Sequence, residues 1–260
     1  MFLAKAGKYE PCRLFSIGHF SLIIITIICI IIALKKTAHK SKEEVFKIVR
    51  GLTIVIWILE ICKICFNIQT FNIYNVKEWV PLYYCSLLLY AGLLSSFAKG
   101  KFKRAGDVFI ATGSIIGGII FIILPTTSLP TYPAFHFISF HSFFFHGTMI
   151  YLTILVNITD YVELEKKDIL YFGILVGVVC IAALGLNIRY DSNLMFISKN
   201  FPQTPIEPLY NTTGLLFTPF MIVGQMTLPF CVVYLIIKSI KTREIKEDSK
   251  SKTTKLLDEK

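Results

Sequence analysis

The stretch VPLYYCSLLLY, residues 80–90, places one cysteine, Cys85, near the start of an otherwise apolar run. A thiol acts as a nucleophile when a neighbouring base takes its proton, and histidine is a common base for this purpose. Three histidines, His136, His141 and His146, follow in FHFISFHSFFFHG, residues 135–147. The residue types of a cysteine nucleophile with a histidine base are therefore present, and the fold must decide whether they meet.

The spacing of these histidines limits what they can do. They recur every five residues, so successive ones are about 140° apart around a helix. No single helix face presents all three, and the segment contains no acidic residue, which argues against a zinc cluster. We therefore predict no metal site and no cofactor. A single histidine directed at another helix fits better, either as a catalytic base or as an interhelical hydrogen-bonding group.

The composition predicts that these residues lie in a lipid bilayer. The chain has 260 residues, of which 54% are hydrophobic, and its mean hydropathy is +0.64, well above the range of a soluble domain. A helix that spans the hydrocarbon core needs about 20 apolar residues. We predict an all-α polytopic membrane protein, a bundle of about seven transmembrane helices, at residues 15–34, 45–66, 80–98, 105–125, 137–159, 168–187 and 214–238.

The distribution of charge predicts the orientation. Lys and Arg stay preferentially on the cytoplasmic side of short loops, and seven spans place 20 of the 27 on the face that carries the C-terminus. This predicts an extracytoplasmic N-terminus, a single transmembrane domain over 1–238 and a charged cytoplasmic tail over 239–260. It also accounts for the net charge of +10 without a nucleic-acid partner. We expect a multi-pass protein of the cell membrane.

Ionisable groups at membrane depth are costly, so each is a candidate functional residue. Glu60 and Lys63 lie near the outer end of the second predicted helix at i, i+3 spacing, so they can form a structural ion pair. Together with His136 and His141 they are the candidate substrate-binding groups. In the predicted topology Cys85 and His146 both fall in the outer half of the bilayer, so any chemistry faces the outer leaflet.

Three motifs give the sequence a family resemblance. They are PLYYC at 81–85, FHFISFHSFFFHG at 135–147 and SNLMF at 192–196, followed by a proline-rich segment. This set resembles the YwaF-like integral membrane proteins of bacteria over roughly 81–214, about half of the chain. That family is similar to the eukaryotic TMEM-type cysteine acyltransferases, which move a fatty acyl chain between phospholipids.

The resemblance implies a role for particular residues. It implies that Cys85 is the nucleophile, His146 its partner and Asn193 a loop asparagine of the same site, with His136 at a position where the family often has histidine. The chain departs from the family pattern at Tyr83, at Ser86 and in the segment NTTGLLFTPF. These departures bear on the identity of the substrate more than on the cysteine and histidine.

The implied reaction is a two-step acyl transfer. His146 would take the thiol proton, Cys85 would attack a phospholipid ester to form a thioester, and a lysolipid or similar acceptor would then remove the acyl chain. Asn193 would donate a hydrogen bond to the oxyanion. Two alternatives stay open: a small-solute transporter or channel with Glu60, Lys63 and the histidines along its path, and a non-catalytic membrane scaffold. The sequence leaves the acyl donor, the acceptor and the oligomeric state undefined.

Overall fold

The computed structural model describes the backbone of residues 1–71, 73–201 and 206–258, and side chains up to 243. This part of the chain is helical, with no strand. Its helices are α1 (Ile17–Thr37), α2 (Lys42–Phe71), α3 (Val76–Trp79), α4 (Leu87–Phe97), α5 (Gly100–Ala111), α6 (Gly113–Ile123), α7 (Phe137–Ile158), α8 (Asp168–Tyr190), α9 (Ile206–Thr213) and α10 (Phe217–Asp258).

Five helical segments of the described chain are long and apolar enough to cross a membrane. They are Ile17–Thr37, Gly100–Ile123, Phe137–Ile158, Asp168–Tyr190 and Ile206–Arg243. The predicted all-α membrane class is therefore confirmed. The count of about seven stays a prediction, because the other two predicted spans fall on helices that do not meet the same standard of length and composition.

These two segments differ from the others for physical reasons. The predicted span 45–66 lies within α2, a long helix whose charged residues interrupt its apolar character. The predicted span 80–98 begins with an extended segment and a 3₁₀ turn, so only the short apolar helix Tyr84–Phe97 follows. The predicted span 105–125 is also divided, since Thr112, at φ −130° and ψ −79°, separates α5 from α6.

The depth of burial orders the helices around a centre. In α7, 78% of the span is buried inside the protein, whereas the figure is 11% for both α1 and the segment that contains α10. A helix that is apolar on all sides and little buried by its own chain faces lipid when it spans a membrane. Helix α7 is therefore central and packs against α1, α2, α5 and α6, whereas α8 packs against α5 and α10, and α1 and α10 lie at the periphery.

Ion pairs bring the basic loops to one end of the bundle. Arg104 of α5 donates Nε to Oδ1 of Asp168 at 2.8 Å and Nη2 to Oδ2 at 2.5 Å, at the start of α8. Lys42 pairs with Glu163 at 3.1 Å, and Lys241 of α10 pairs with an aspartate between α7 and α8. The four regions predicted to be cytoplasmic therefore meet at the same end, and the cytoplasmic location of that end stays a prediction. Residues 259–260 of the predicted tail, and the side chains from 244 onward, lie outside the described part.

Candidate active site around Cys85 and His146

Cys85 lies in the 3₁₀ turn Tyr84–Ser86 that leads directly into α4. Its side chain is half-buried, and Sγ donates to the carbonyl of Gly117 in α6 at 3.8 Å. The N-terminus of a helix carries partial positive charge and favours an anion there. The structure thus places the thiol at the N-terminus of α4.

Tyrosines on both sides of Cys85 fix this turn. Tyr84 donates its hydroxyl to the carbonyl of Gly113 at 3.3 Å, and Tyr90 donates to that of Pro81 at 3.0 Å. Tyr83 donates to the carbonyl of Lys77 at 3.2 Å. Tyr83 and Tyr84 therefore position Cys85 through their hydroxyl groups. The sequence motif PLYYC alone does not reveal this role.

His146 is buried in α7 and has one unpartnered ring nitrogen. Its Nδ1 lies 2.6 Å from the carbonyl of Ser142, and since a carbonyl only accepts, Nδ1 carries the proton. Nε2 then has a lone pair and makes no hydrogen bond in the described protein. The ring stacks on Phe121 with centroids 3.6 Å apart and planes 8° apart. The neutral imidazole is held in the tautomer that accepts a proton.

Two consecutive glycines of α6 join the cysteine to the histidine. A Cβ atom on Gly117 would lie 3.4 Å from Sγ of Cys85, and one on Gly118 would lie 2.9 Å from the backbone oxygen of His146. The structure therefore brings Cys85 and His146 against the same turn of α6. They do not hydrogen-bond to each other, because the thiol is directed at Gly117 and Nε2 is unpaired.

A charged cluster lies on the neighbouring face of α7. Glu60 of α2 is 1% exposed, and its Oε1 lies 2.6 Å from Nζ of Lys63. The predicted ion pair is thus confirmed. Its Oε2 lies 3.0 Å from Nε2 of His141, which is also buried. Glu60 is therefore shared between a cation and a histidine, and the sequence pattern did not show that His141 joins this pair.

His136 has a structural position at the start of α7. Its Nδ1 accepts from the backbone N–H of Ile138 at 3.1 Å and so caps the helix. Its Nε2 donates to the carbonyl of Ala4 at 2.9 Å, and its ring stacks on Tyr132 at 4.3 Å. Both ring nitrogens are engaged, so His136 begins the helix and holds the N-terminal segment. Its predicted contact with substrate stays a prediction.

Asn193 lies in the loop after α8, which packs toward Cys85. The rings of Phe196 and Tyr83 are 5.4 Å apart, which brings this loop against the turn that holds the cysteine. The side-chain oxygen of Asn193 accepts from the backbone N–H groups of Ser198 and Lys199 at 3.0 and 3.1 Å. Its Nδ2 donates to the carbonyl of Lys199 at 3.2 Å. Within the described part of the chain, the second amide hydrogen makes no hydrogen bond.

Two further residues hold this loop, and the sequence analysis missed their role. Asn187 accepts from the backbone N–H of Leu194 at 2.7 Å and donates to its carbonyl at 3.0 Å. Gln225 of α10 donates to the carbonyl of Met195 at 2.8 Å. The signals available in the sequence were the amide side chains of Asn187 and Gln225, which the fold brings to the SNLMF loop. The loop is fixed to both α8 and α10.

Among the described residues, no group of three or more His, Cys, Asp or Glu is arranged to hold a metal ion. The thiol of Cys85, the neutral imidazole of His146 and the N-terminus of α4 are the groups that a cysteine nucleophile with a histidine base would use.

One known protein family matches a stretch of the chain that includes all the residues of this candidate site. The TMEM164 family matches residues 14–238, which include Cys85, His146 and Asn193. This finding supports the TMEM-type part of the resemblance, and the YwaF-like relationship stays a prediction. No curated protein and no solved structure matches the chain. Because the match extends over most of the sequence, the chain belongs to the TMEM164 family.

Proposed function

We propose that this membrane protein is a cysteine-dependent acyltransferase that moves a fatty acyl chain from a phospholipid to a lysolipid or similar acceptor. The observation that carries the proposal is the buried Nε2 of His146, which makes no hydrogen bond in the described protein, on a residue whose backbone meets Gly118, next to the Gly117 that contacts Cys85. A buried polar atom without a partner is costly, so it calls for an explanation. Proton acceptance from the cysteine or from the acceptor provides one.

The first half of the reaction makes a thioester. His146 takes the proton of Cys85 on Nε2, and the thiolate attacks the ester carbonyl of the phospholipid. The C–O bond then breaks, the thioester forms, and the imidazolium returns its proton to the departing lysolipid hydroxyl. In the second half the same nitrogen deprotonates the acceptor hydroxyl, which attacks the thioester and frees the thiol. The thiol–imidazole contact forms when substrate binds, as catalytic contacts in unliganded enzymes often tighten only then.

The oxyanion of each tetrahedral intermediate needs hydrogen-bond donors. Asn193 has one amide hydrogen that its own loop does not use, and its loop packs on Tyr83 beside the cysteine. The first N–H groups of a helix have no partner within that helix, so those where α4 begins are a second source. A single such donor contributes about 2.7–4 kcal/mol to the transition state.

The charged cluster is the proposed headgroup site. Lys63 pairs with Glu60, and Glu60 also contacts His141, which lies five residues before His146 on α7. A lysine side chain binds phosphate as a point charge. The side chain of Lys63 is 22% exposed, so a phosphate group can reach it. Glu60 holds this lysine and is itself held by His141.

The proposed reaction faces the extracytoplasmic leaflet. Helix α4 has 11 residues and is therefore about 16 Å long. Its far end leads into α5, where Arg104 lies in the basic end of the bundle. Cys85, at the near end, is thus removed from the predicted cytoplasmic side by about half the thickness of the hydrocarbon core.

Intact mass spectrometry of the protein purified with native lipids tests the proposal. Wild type is compared with Cys85→Ser and His146→Ala, before and after neutral hydroxylamine, which cleaves thioesters. We expect a hydroxylamine-sensitive acyl mass on wild type and on a Cys231→Ser control, and none on Cys85→Ser or His146→Ala. Cys231 is a suitable control because it is also half-buried and lies in α10.

The same measurement separates the alternatives. A transporter or a scaffold needs no covalent adduct on Cys85. An acyl mass that survives the Cys85→Ser substitution, or a wild-type protein that stays unmodified after incubation with labelled phospholipid, would refute the acyltransferase.

A further inference from the structure

A second apolar site lies on the side of α7 away from the cysteine. It is a cavity of about 400 Å³ between α1, α2 and α7, which we call the α1 groove. Its walls are residues 22–33 of α1, residues 140–151 of α7, and Ile48 and Leu52 of α2. Met149, which meets Gly117 beside Cys85, is nine residues, or about 180°, around α7 from Phe140, which lines the groove. The α1 groove is therefore separate from the proposed active site.

The groove exists because α1 packs mainly on α7. It contacts α7 over much of its length and scarcely touches α2. The contact with α7 is close at Gly147, where a Cβ atom would lie 2.8 Å from the methyl group of Thr26. On the side of α2 the helices stand apart, and in a bilayer an apolar gap of this size between lipid-facing helices fills with hydrocarbon.

The polar atoms of the groove leave nothing for a polar ligand to bind. Thr26 and Thr148 each donate a hydroxyl to a carbonyl of their own helix at 2.8 Å. The hydroxyl of Tyr151 is 3.0 Å from that of Thr37. The remaining wall is aliphatic, aromatic or the thiol of Cys29. A ligand that enters gains only from the burial of apolar surface.

The dimensions of the groove select its occupant. Residues 22–33 and 140–151 each span 11 steps, about 16 Å along the helix axis. One leaflet of the hydrocarbon core is about 15 Å thick. A volume of about 400 Å³ over that length gives a mean cross-section of about 25 Å². A helix at least 10 Å wide needs about 80 Å², so a second protein helix does not fit.

We propose that the α1 groove binds one acyl chain of a membrane phospholipid, lying parallel to α1 and α7. The chain supplies the packing that α1 lacks against α2 and so anchors this peripheral helix to the bundle. The proposal does not depend on the acyltransferase: the bound chain is a resident ligand, on the opposite side of α7 from the cysteine, and is not transferred.

Native mass spectrometry in mild detergent tests the groove with phosphatidylcholine as the probe. We expect wild type, and equally Cys85→Ala, to retain one lipid per chain and to bind added phosphatidylcholine saturably. Ala33→Phe fills the groove, so it should bind at least about tenfold more weakly. The control Ile32→Phe adds the same ring on the exposed face of α1, outside the groove, and should bind as wild type does.

Equal lipid retention by Ala33→Phe and wild type would overturn the proposal, and so would a dimer that forms through α1 in place of a bound lipid. A second measurement covers a poorly folded variant. Phosphatidylcholine with a photoreactive acyl chain should label residues 22–33 and 140–151 of wild type, and excess unlabelled lipid should suppress this labelling. Uniform, unsuppressed labelling of lipid-facing positions such as Ile181 would overturn the proposal.

Discussion

Gly118→Ala should slow acylation of Cys85 by widening the contact between α6 and α7. The added Cβ would lie 2.9 Å from the backbone oxygen of His146 and 2.7 Å from Cγ1 of Ile150. A side chain can rotate away, but the carbonyl belongs to the helix that carries His146. The two helices must therefore separate, and the histidine moves away from the glycine pair with its helix.

The size of the effect follows from these distances. Ordinary contact begins near 3.4 Å, so the backbone contact opens by about 0.5 Å. A displacement of 1 Å in an active site costs about 100-fold in rate, so half of that costs about tenfold. We expect only a small change in the free energy of unfolding. The steric cost of about 1–3 kcal/mol is offset by about 1 kcal/mol of helix propensity gained from alanine.

The assay measures the rate of hydroxylamine-sensitive acylation in vesicles that contain labelled phospholipid. Gly173→Ala is the matched control, because its Cβ would meet the carbonyl of Met226 at an ordinary 3.5 Å. Both variants gain the same helix propensity and differ only in the neighbour that they contact. If Gly118→Ala acylates as fast as Gly173→Ala, the separation of α6 and α7 does not control the reaction and the proposed pairing is wrong.

Three further substitutions test the polar contacts. Glu60→Ala leaves the partly exposed Lys63 and the buried His141 without their carboxylate partner and should destabilise the protein by about 1–3 kcal/mol, seen as a lower midpoint of thermal unfolding in detergent. An unchanged midpoint would show that the cluster is hydrated. Asn187→Leu removes four hydrogen bonds from the loop after α8. The loss should cost about 2–4 kcal/mol in stability and make residues 191–199 susceptible to proteolysis. A loop that stays resistant to proteolysis would contradict the anchoring role of Asn187. Asp168→Asn removes the negative charge that pairs with Arg104, so the free energy of unfolding should fall by about 3 kcal/mol. An unchanged free energy of unfolding would mean that water compensates for the lost ion pair.

The helices with uninterrupted apolar runs were predictable from the sequence. The starts of α7 at Phe137 and α8 at Asp168 agree with the predicted spans, because proline-rich and charged segments precede them. The break at Thr112 was not predictable, since the apolar run continues across it and the interruption depends on packing with other helices.

The candidate site was predictable in its residues but not in its geometry. Cys85 and His146 were selected by their chemistry and by family resemblance. Their meeting on Gly117 and Gly118 depends on how α6 packs against two other elements, and hydropathy carries no information about such contacts. The partner of His141 was missed for the same reason, because Glu60 lies 81 positions away on α2.

The anchored loop after α8 has a consequence for the kinetics of the proposed reaction. Asn187 and Gln225 fasten that loop to two helices, and Phe196 packs over the turn of the cysteine. Because this loop is fixed over the turn that holds Cys85, a lipid reaches the thiol laterally, from within the plane of the membrane. Substrate and enzyme then meet by diffusion in two dimensions. The rate should follow the mole fraction of phospholipid within the bilayer and stay constant when the suspension is diluted with water.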